Sequence, residues 1–335
     1  MLIGVDASRI AKEEKAGKIL LSCPACGSSS DAKFLKNHHD YKIIQCRNCG
    51  LRYSDPMKEP AKRYYTDCAI YQGRSKSYRD RDFAKILLAR DWRFSQAIGF
   101  IESHFKHSSI KILDIGCGDG GFLFLAKNKG FGVYGIDIDP KGIGTARDFF
   151  KLENVRVAGW KELKEMKEWQ KFDVVTLFDT LEHVSSPKEL TKTIFNLVKP
   201  EGFLFLTVPS FERSPRLFDP EADFPPHHLT LWTKKSLQLL LMQAGFRNPK
   251  IFEKPFSGGD LYLHLIWFIR RQRPRKSESK SSSSQNRGEK ETHFIEKWWG
   301  KVIYRFALIV LGVLAGIIRL TGKSRGQTLL AVAQK

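Results

Sequence analysis

The chain has 335 residues, of which 42% are hydrophobic and 27% are charged, and this composition excludes a wholly disordered protein. The length is sufficient for one large domain with a sizeable core and a second, small domain. The 56 Lys and Arg residues outnumber the 36 Asp and Glu residues, and the resulting charge of +20 favours an anionic partner such as nucleic acid, acidic lipid or a phosphorylated substrate.

The N-terminal segment carries no recognisable export signal. Charged residues are scattered through residues 1–21, which lack an apolar run of the length that a signal peptide needs. We therefore expect a cytoplasmic protein with reduced cysteines. Residues 1–20 are interpreted as a tail without a predicted function.

Four of the six cysteines form two closely spaced pairs. Cys23 is paired with Cys26 and Cys46 with Cys49, each pair is followed by a glycine, and 19 residues separate them. This spacing predicts a tetrahedral four-thiolate site, so residues 21–55 are expected to form a zinc ribbon with structural zinc. Four protein ligands leave no open coordination position, which argues against catalysis by this metal. An iron site of the rubredoxin kind is the alternative.

Residues 56–108 are predicted to be a helical connector, with one helix over 80–105 where apolar side chains recur at helical spacing. From residue 109 onward, short apolar runs alternate with helical stretches, which is typical of a parallel sheet covered by helices on both faces. The predicted strands are 110–115, 132–137, 154–158, 172–178, 202–208, 248–255 and 328–333. The predicted helices are 121–129, 140–151, 160–168, 187–198 and 233–244.

A glycine-rich turn follows the first of these strands. The sequence KILDIGCGDGG (111–121) has the strand, tight turn and helix start that let a backbone approach a ligand closely. Gly116, Gly118 and Gly121 also fit a dinucleotide site. Asp114, two residues before the first glycine, would repel the phosphates of NAD, whereas it suits a ligand that offers an ammonium group.

The second predicted strand ends in another carboxylate. Asp137 follows the glycines by about 20 residues, the usual spacing of the acid that binds a ribose diol. We expect Asp137 to hold the ribose of the ligand, with Asp139 as the alternative. Capping of helices or turns is the structural alternative for Asp114 and Asp137.

Three stretches make the chain similar to class I S-adenosylmethionine-dependent methyltransferases, in particular to the family that includes the ubiquinone-biosynthesis O-methyltransferases and many cell-surface-polysaccharide methyltransferases. They are LDIGCGDG (113–120), FDVVTLFDTLEHV (172–184) and LVKPEG (197–202). The resemblance covers residues 110–210. It implies an α/β fold with a Rossmann-like, seven-stranded, mostly parallel methyltransferase sheet, here preceded by the zinc ribbon, and S-adenosylmethionine as cofactor.

The same resemblance implies that the glycine turn and the ends of the following strands contact the cofactor. The residues concerned are Asp114, Gly116, Cys117, Gly118, Gly120, Asp137, Ile138, Phe178 and Asp179. The chain departs from many relatives after the third strand, where Gly159-Trp160 stand in place of an acid that accepts a hydrogen bond from adenine. We expect Trp160 to pack instead of stacking on the adenine.

Histidines are the candidate general bases. Methyl transfer from a sulfonium is an in-line displacement, and a hydroxyl or carbon acceptor must also lose a proton. His183 follows the fourth strand, at the sheet edge where ligands of open α/β folds bind, and is the first candidate. His227 and His228 are the second, because FPPHHLTLW (224–232) resembles the acceptor loop of the same family. The alternative for His183 is that it caps the next helix or orders the cofactor loop, and the alternative for His227 and His228 is that they are structural histidines with satisfied hydrogen bonds.

The C-terminal part is predicted to contain an insertion at 258–325 in a methyltransferase core formed by residues 109–257 and 326–335. Residues 270–325 hold 14 Lys and Arg but only 4 Asp and Glu, a net charge of +10 that is half of the total. The Ser-rich part up to Thr292 is expected to be disordered. The 13 uncharged residues of 306–318 are too few for an ordinary membrane span.

The apolar stretch favours a helix that lies on an anionic membrane surface, as on the inner face of the membrane. Packing on the domain or a dimer surface is the alternative. Peripheral membrane association would bring the enzyme close to a lipid-linked acceptor.

These features predict S-adenosylmethionine-dependent methyl transfer to an oxygen, carbon or sugar-amine atom of a small-molecule or lipid-linked acceptor, such as a sugar, a glycolipid or a quinone-like compound. No Asn/Asp-Pro-Pro-Tyr motif follows the fourth strand, which disfavours ring amines. An RNA methyltransferase is less favoured, because the excess charge lies beside an apolar helix and not on the ribbon. A third hypothesis is a zinc-ribbon binding protein with an inactive methyltransferase domain, and a fourth is an NAD oxidoreductase, which Asp114 opposes.

Overall fold

The computed structural model describes residues 22–29, 32–61, 64, 78, 80–105, 109–166, 169, 171–214, 223–262, 298–321 and 325–335. The predicted tail, Cys68 and the Ser-rich stretch 270–292 lie outside the described residues. Those that are described fall into two compact units. The first unit contains the residues up to Phe211 together with 223–252 and 328–335, and the second contains the others.

The cysteine pairs are associated with a small antiparallel sheet. Strands β1 (Ala32–His38), β2 (Tyr41–Cys46) and β3 (Arg52–Asp55) are neighbours in sequence and in the sheet. As far as the chain is described, the fourth strand of this sheet is β9 (Thr230–Leu231), which pairs with β3. The pairing joins the ribbon to the loop that carries the paired histidines, and no local sequence pattern predicts it.

The connector contains two helices where the sequence predicts one over 80–105. Helix α1 covers Arg81–Ala89 and α2 covers Trp92–His104. The Asp91 side chain accepts a hydrogen bond from the backbone N–H of Arg93 at 3.1 Å and so begins the second helix. The single-helix prediction is wrong at this point, and the break places Arg93 in the first turn of α2.

The remaining strands and helices lie close to their predicted positions. The strands are β4 (Lys111–Ile115), β5 (Gly132–Asp137), β6 (Val155–Val157), β7 (Phe172–Phe178), β8 (Val198–Pro209), β10 (Arg247–Glu253) and β11 (Thr328–Gln334). The helices are α3 (Gly121–Lys127), α4 (Pro140–Asp148), α5 (Pro187–Leu197), α6 (Lys234–Ala244) and α7 (Trp298–Leu320).

Among the described strands, seven form one sheet in the order β10-β11-β8-β7-β4-β5-β6. The ladders β4–β5, β4–β7, β5–β6 and β7–β8 are parallel, whereas β11 runs antiparallel to β8. The predicted α/β class with a mostly parallel, Rossmann-like sheet is therefore confirmed.

Two elements differ from their predicted form. The predicted helix 160–168 is a 3₁₀ helix over Trp160–Lys164, and its buried side chains, Trp160 and Leu163, are three residues apart as that geometry requires. Strand β8 is longer than the predicted 202–208, because it begins at Val198 where α5 ends.

The central strands are buried on both faces of the sheet. The buried side chains form two apolar clusters. Leu113 of β4 and Val175 of β7 belong to one cluster, whereas their neighbours Ile112 and Val174 belong to the other. Side chains alternate between the faces of a strand, so a sheet covered on both sides needs continuous apolar runs. This need explains why the sequence shows no polar alternation in these strands.

In the second unit, α7 extends over 23 residues and includes the predicted apolar stretch 306–318. Ile309, Val313 and Ile317 are 65%, 61% and 55% exposed, and their four-residue spacing places them on one face of the helix. Among the described helices, none is long and apolar enough to cross a membrane. The domain boundaries derived from the sequence, including the insertion at 258–325, stay predictions.

Candidate active site

A cavity of ≈ 1020 Å³ lies at the carboxyl ends of β4, β5 and β7 in the first unit. This is the edge at which open α/β sheets bind ligands. The predicted cofactor residues that line it are Asp114, Gly116, Cys117, Gly118, Asp137, Ile138, Phe178 and Asp179. The three candidate histidines line the same cavity, so the structure brings the predicted cofactor residues and the predicted bases together.

The glycine turn after β4 has the backbone that its sequence predicts. Gly116, Gly118 and Gly120 have φ values of 78°, 54° and 80°, which L side chains rarely adopt. A Cβ at Gly116 would also collide with the Thr180 side chain. Gly120 is not among the residues that line the cavity. A Cβ at Gly120 would lie 2.7 Å from Leu152, so this glycine allows close packing behind the turn.

Asp114 is a buried carboxyl at the end of β4. Its Oδ1 accepts a hydrogen bond from the Thr176 hydroxyl at 2.8 Å. Burial raises the pKa of Asp114 to about 7, and the Thr176 hydrogen bond and the charge of Arg93 only partly oppose this rise. A cationic group in the cavity would favour the ionised carboxylate, because opposite charges lower the pKa of an acid.

Asp137 connects the end of β5 to the glycine turn. Its carboxylate accepts hydrogen bonds from the backbone N–H groups of Gly118 and Asp139, each at 2.8 Å. Burial raises the pKa of Asp137, whereas these two N–H groups oppose the rise. Each oxygen keeps a further lone pair, so the carboxylate can also accept from two hydroxyl groups, as a ribose diol would require.

Arg93 is a cavity residue that sequence reasoning missed. Its Nε and Nη2 donate to Asp91 at 2.9 and 2.6 Å, and its Nη1 contacts Asp179. Burial lowers the pKa of Arg93, but the hydrogen bond to Asp91 and the charge of Asp179 outweigh this effect and raise the pKa above its ordinary value. The only sequence signal was an Asp two residues before an Arg inside the predicted connector helix.

Trp160 lies in the part of the cavity wall that follows β6. The residue is only 8% exposed, and Lys161 Nζ lies 5.5 Å from its ring centroid. Trp160 borders the cavity while most of its surface is packed against the core. This burial is consistent with the packing role that the sequence suggested.

The three histidines form one cluster. The ring centroids of His227 and His228 lie 5.0 and 4.9 Å from that of His183, and 4.6 Å from each other. One ring nitrogen from each histidine lies within 4.8 Å of the other two. His183 Nδ1 is 2.5 Å from the backbone carbonyl oxygen of His227. Burial lowers the pKa of His183 to about 3 and also lowers that of His227.

Glu182 is the second cavity residue to which sequence reasoning assigned no role in the site. Its side chain is fully buried, and neither carboxyl oxygen has a hydrogen-bond partner among the described residues. Oε1 lies 3.9 Å from Nε2 of His228, beyond hydrogen-bond range. Burial raises the pKa of Glu182 well above its ordinary value. The available signal was a Glu-His pair directly after a buried strand.

The four cysteines of the ribbon converge as predicted. The sulfur atoms of Cys23 and Cys49 are 3.6 Å apart, and those of Cys26 and Cys46 are 3.7 Å apart. Tetrahedral zinc with Zn–S bonds of roughly 2.3 Å needs sulfur separations of roughly 3.8 Å. The hydrogen bond between Cys49 and Cys23 lowers the pKa of Cys23 to about 5 and raises that of Cys49. The donor set fits a tetrahedral thiolate metal site.

Three hydrogen bonds connect the ribbon to the start of helix α6 and to the loop that carries His227 and His228. The Thr233 hydroxyl donates to the Cys49 carbonyl at 2.7 Å. The Arg52 guanidinium donates to the Asp223 carbonyl at 3.1 Å, and the Ser54 N–H donates to the Leu229 carbonyl at 2.9 Å. The ribbon therefore holds both ends of the segment that contains His227 and His228.

An open α/β sheet with a glycine turn after its first strand and a carboxylate at the end of the second is the arrangement of class I methyltransferases. The family described as "Methyltransferase domain" matches residues 58–250, more than half of the chain. The chain belongs to this family.

Two curated relatives show how far the similarity extends. The ubiquinone biosynthesis O-methyltransferase of Paraburkholderia phymatum is 33% identical over 112 residues, which are 32% of this chain and 48% of that protein. The protein of the same name from Rickettsia bellii is 28% identical over 131 residues, which are 38% of this chain and 55% of the Rickettsia protein. The chain thus spans about half the length of the curated relatives that it matches.

Among solved structures, the phosphoethanolamine N-methyltransferase 2 of Haemonchus contortus, in complex with phosphomonomethylethanolamine and S-adenosylhomocysteine, has a TM-score of 0.50 at 17% identity. The match covers 85% of this chain and 62% of that one. At this identity the likeness concerns the fold alone.

Proposed function

We propose that this protein is an S-adenosylmethionine-dependent methyltransferase that acts on an oxygen, carbon or sugar-amine atom of a small-molecule or lipid-linked acceptor, such as a sugar, a glycolipid or a quinone-like compound. The observation that carries the proposal is that one cavity holds both the glycine turn with its carboxylates and the cluster of His183, His227 and His228. Its volume of ≈ 1020 Å³ corresponds to the upper end of the range for small-molecule sites.

The cofactor end of the cavity would bind the ammonium group and the ribose of one ligand, S-adenosylmethionine. S-adenosylmethionine supplies a methyl group on a positively charged sulfur. Ionised Asp114 attracts the ammonium group, and Asp137 accepts from the ribose hydroxyls. This division of roles follows from the charge of each group and its place on the cavity wall.

The acceptor end consists of the histidine cluster and the carboxylates of Glu59, Asp179 and Glu182. Glu59 is held in place because its Oε1 accepts from the Ser185 N–H and hydroxyl at 2.8 and 2.7 Å. A carboxylate such as Glu59 in the wall of this cavity disfavours phosphate-bearing acceptors. It therefore gives no support to the RNA alternative.

We propose structural zinc at Cys23, Cys26, Cys46 and Cys49. The sulfur separations support this ion, and the ribbon's hydrogen bonds to the acceptor loop give it a role in holding that loop. Because the four thiolates complete the coordination shell, this metal takes no part in methyl transfer.

We propose an anionic membrane surface as the partner of α7. The support comes from the exposed apolar face of Ile309, Val313 and Ile317, from exposed Arg319 in the last turn of the helix, and from the net charge of +10 over residues 270–325. Attachment there would place the enzyme near lipid-linked acceptors.

Calorimetry with S-adenosylmethionine tests the core of the proposal, and we expect saturable binding of about one molecule per chain. Mass spectrometry then compares glycans and lipids from cells with and without the gene. The acceptor is the species that lacks one methyl group in the cells without the gene. If S-adenosylmethionine does not bind, the proposed function is wrong. If the lost methyl group lies on RNA and not on a small molecule, the proposed acceptor class is wrong.

A further inference from the structure

The buried carboxyl of Glu182 needs a partner that the described protein groups do not provide. A buried polar group without a hydrogen bond is costly, and native proteins keep few of them. Arg93, a cation whose charge acts on Glu182, is already bonded to Asp91 and Asp179. A positively charged ligand beside Glu182 would remove this cost.

The atoms around Glu182 are those that bind transition metals. His183, His227 and His228 each offer a ring nitrogen within 4.8 Å of the other two, and His228 Nε2 is 3.9 Å from Glu182 Oε1. A tetrahedral ion with bonds of about 2.1 Å needs ligand atoms about 3.4 Å apart. Binding of an ion would therefore shorten these separations by at most about 1.4 Å.

The orientation of His183 also suits a ligand. Its Nδ1 lies within hydrogen-bond distance of the carbonyl oxygen of His227, at 2.5 Å. Metal-binding histidines usually donate their other ring N–H to a carbonyl or carboxylate in this way, which determines the tautomer. The accepting carbonyl belongs to His227, which is itself a member of the cluster, so the backbone of one proposed ligand orients the ring of another.

We propose that Glu182, His183, His227 and His228 form a second metal site, separate from the cysteine ribbon, that binds a divalent transition metal and presents it to the acceptor oxygen. Three imidazoles and one carboxylate favour an ion such as Zn²⁺, Mn²⁺ or Fe²⁺ over Mg²⁺ or Ca²⁺. The cluster borders the same cavity as the glycine turn, so the ion would lie on the acceptor side of the transferred methyl group.

The catalytic part of this proposal rests on the proposed function. A divalent ion lowers the pKa of a bound hydroxyl group, so that the acceptor loses its proton to water in the cavity. The resulting oxygen forms a bond with the methyl carbon while the bond between that carbon and sulfur breaks. The electron pair of the broken bond stays on sulfur, and the sulfonium becomes a neutral thioether. The proposal thereby assigns the acceptor atom to oxygen.

Metal content of the full-length protein tests the site. After dialysis against Zn²⁺ and removal of loosely bound ions, elemental analysis should give about two zinc ions per chain for the wild type and about one for the double variant His227→Ala/His228→Ala. Glu182→Gln, which keeps the shape of the side chain, should also lose the second ion. His104→Ala, at an exposed histidine of α2, is the matched control and should retain both.

Cobalt spectroscopy tests the role of the ion. Co²⁺ bound to the histidine cluster should show ligand-field bands without thiolate charge transfer, and catechol, added as an oxygen probe with S-adenosylhomocysteine present, should shift these bands. One zinc ion per chain in the wild type, or a second ion that Glu182→Gln retains, would overturn the site. Bands that catechol leaves unchanged would overturn the acceptor role.

The same samples are tested for S-adenosylmethionine binding, so that the two proposals can fail separately. Intact cofactor binding together with a single metal ion refutes only the second site. Absence of cofactor binding in a protein with two metal ions refutes the proposed function and leaves the metal site standing.

Discussion

Asp114 is the residue whose environment most directly affects ligand binding. Its carboxyl is fully buried, and burial raises its pKa to about 7. Only the ionised form attracts an ammonium group. In the free protein the carboxyl is therefore partly protonated at neutral pH, and a cationic ligand must displace that proton before it can bind.

We expect S-adenosylmethionine affinity to fall as the pH decreases below 7, by up to about tenfold per pH unit, because binding is linked to the loss of one proton from Asp114. Above pH 7 this dependence should level off. Calorimetry between pH 5.5 and 8 measures it. Asp114→Asn removes the titrating group, so this variant should bind weakly at every pH; a wild-type-like slope in Asp114→Asn would assign the proton to another group.

Asp137→Ala should reduce S-adenosylmethionine affinity by about 100-fold or more, because two hydrogen bonds to a charged acceptor contribute about 1.5–3 kcal/mol each. The fold should persist, although the glycine turn loses the acceptor of the Gly118 N–H. Calorimetry and circular dichroism separate the two effects. Asp148→Ala, at an exposed position in α4, is the control. Unchanged affinity in Asp137→Ala would rule out the ribose role.

At the scale of elements, the join between the ribbon and helix α6 is a stabilising contact that can be measured. The Thr233 hydroxyl accepts the Ser236 N–H at 3.0 Å as the N-cap of α6 and donates to the Cys49 carbonyl at 2.7 Å. One side chain therefore begins helix α6 and also holds the turn of the ribbon that carries Cys49.

Thr233→Ala should lower the free energy of unfolding by about 1–2 kcal/mol, the usual cost of losing an N-cap, with the bond to Cys49 adding to it. Urea unfolding measures the change. Gln238→Ala, at an exposed position of the same helix, should change it by less than about 0.5 kcal/mol. Equal effects of the two substitutions would show that the ribbon contact contributes nothing.

The elements themselves follow closely from the sequence, because continuous apolar runs and helical periodicity are local signals. β5 and β7 lie at their predicted bounds, whereas the helix predicted over 80–105 is interrupted at Asp91. That break depends on a side chain bonding to the backbone, and helical periodicity does not detect it. The pairing of β9 with β3 lay beyond prediction, since two residues carry no periodic signal and the partner is far away in sequence.

At the scale of the whole molecule, half of the excess positive charge lies in residues 270–325, and the exposed apolar face of α7 lies in the same part of the chain. A membrane surface would accept both, because acidic headgroups attract Lys and Arg while the apolar side chains enter the acyl boundary. The described helices contain no membrane-crossing segment, so the proposal concerns attachment at the surface.

The triple variant Ile309→Asn/Val313→Asn/Ile317→Asn should reduce partitioning onto vesicles that contain phosphatidylglycerol by at least about tenfold, because three apolar side chains leave the lipid boundary. Sedimentation with the vesicles measures it, and neutral phosphatidylcholine vesicles should bind the wild type more weakly. Val157→Asn/Met242→Asn replaces exposed apolar residues of the first unit and is the control. Partitioning that is equal in the wild type and the triple variant would refute membrane docking by α7.

The sequence by itself determined the fold class, the glycine turn with Asp114 and Asp137, and the convergence of the four cysteines. These features depend on residues that are close together in the chain, where spacing and backbone geometry are sufficient for inference. Only the tertiary structure decided that Arg93 reaches Asp179, that Glu182 is buried without a hydrogen-bond partner among the described residues, and that His183 meets the histidines of a distant loop. Burial and side-chain proximity arise from packing between segments far apart in sequence, and no local pattern contains that information.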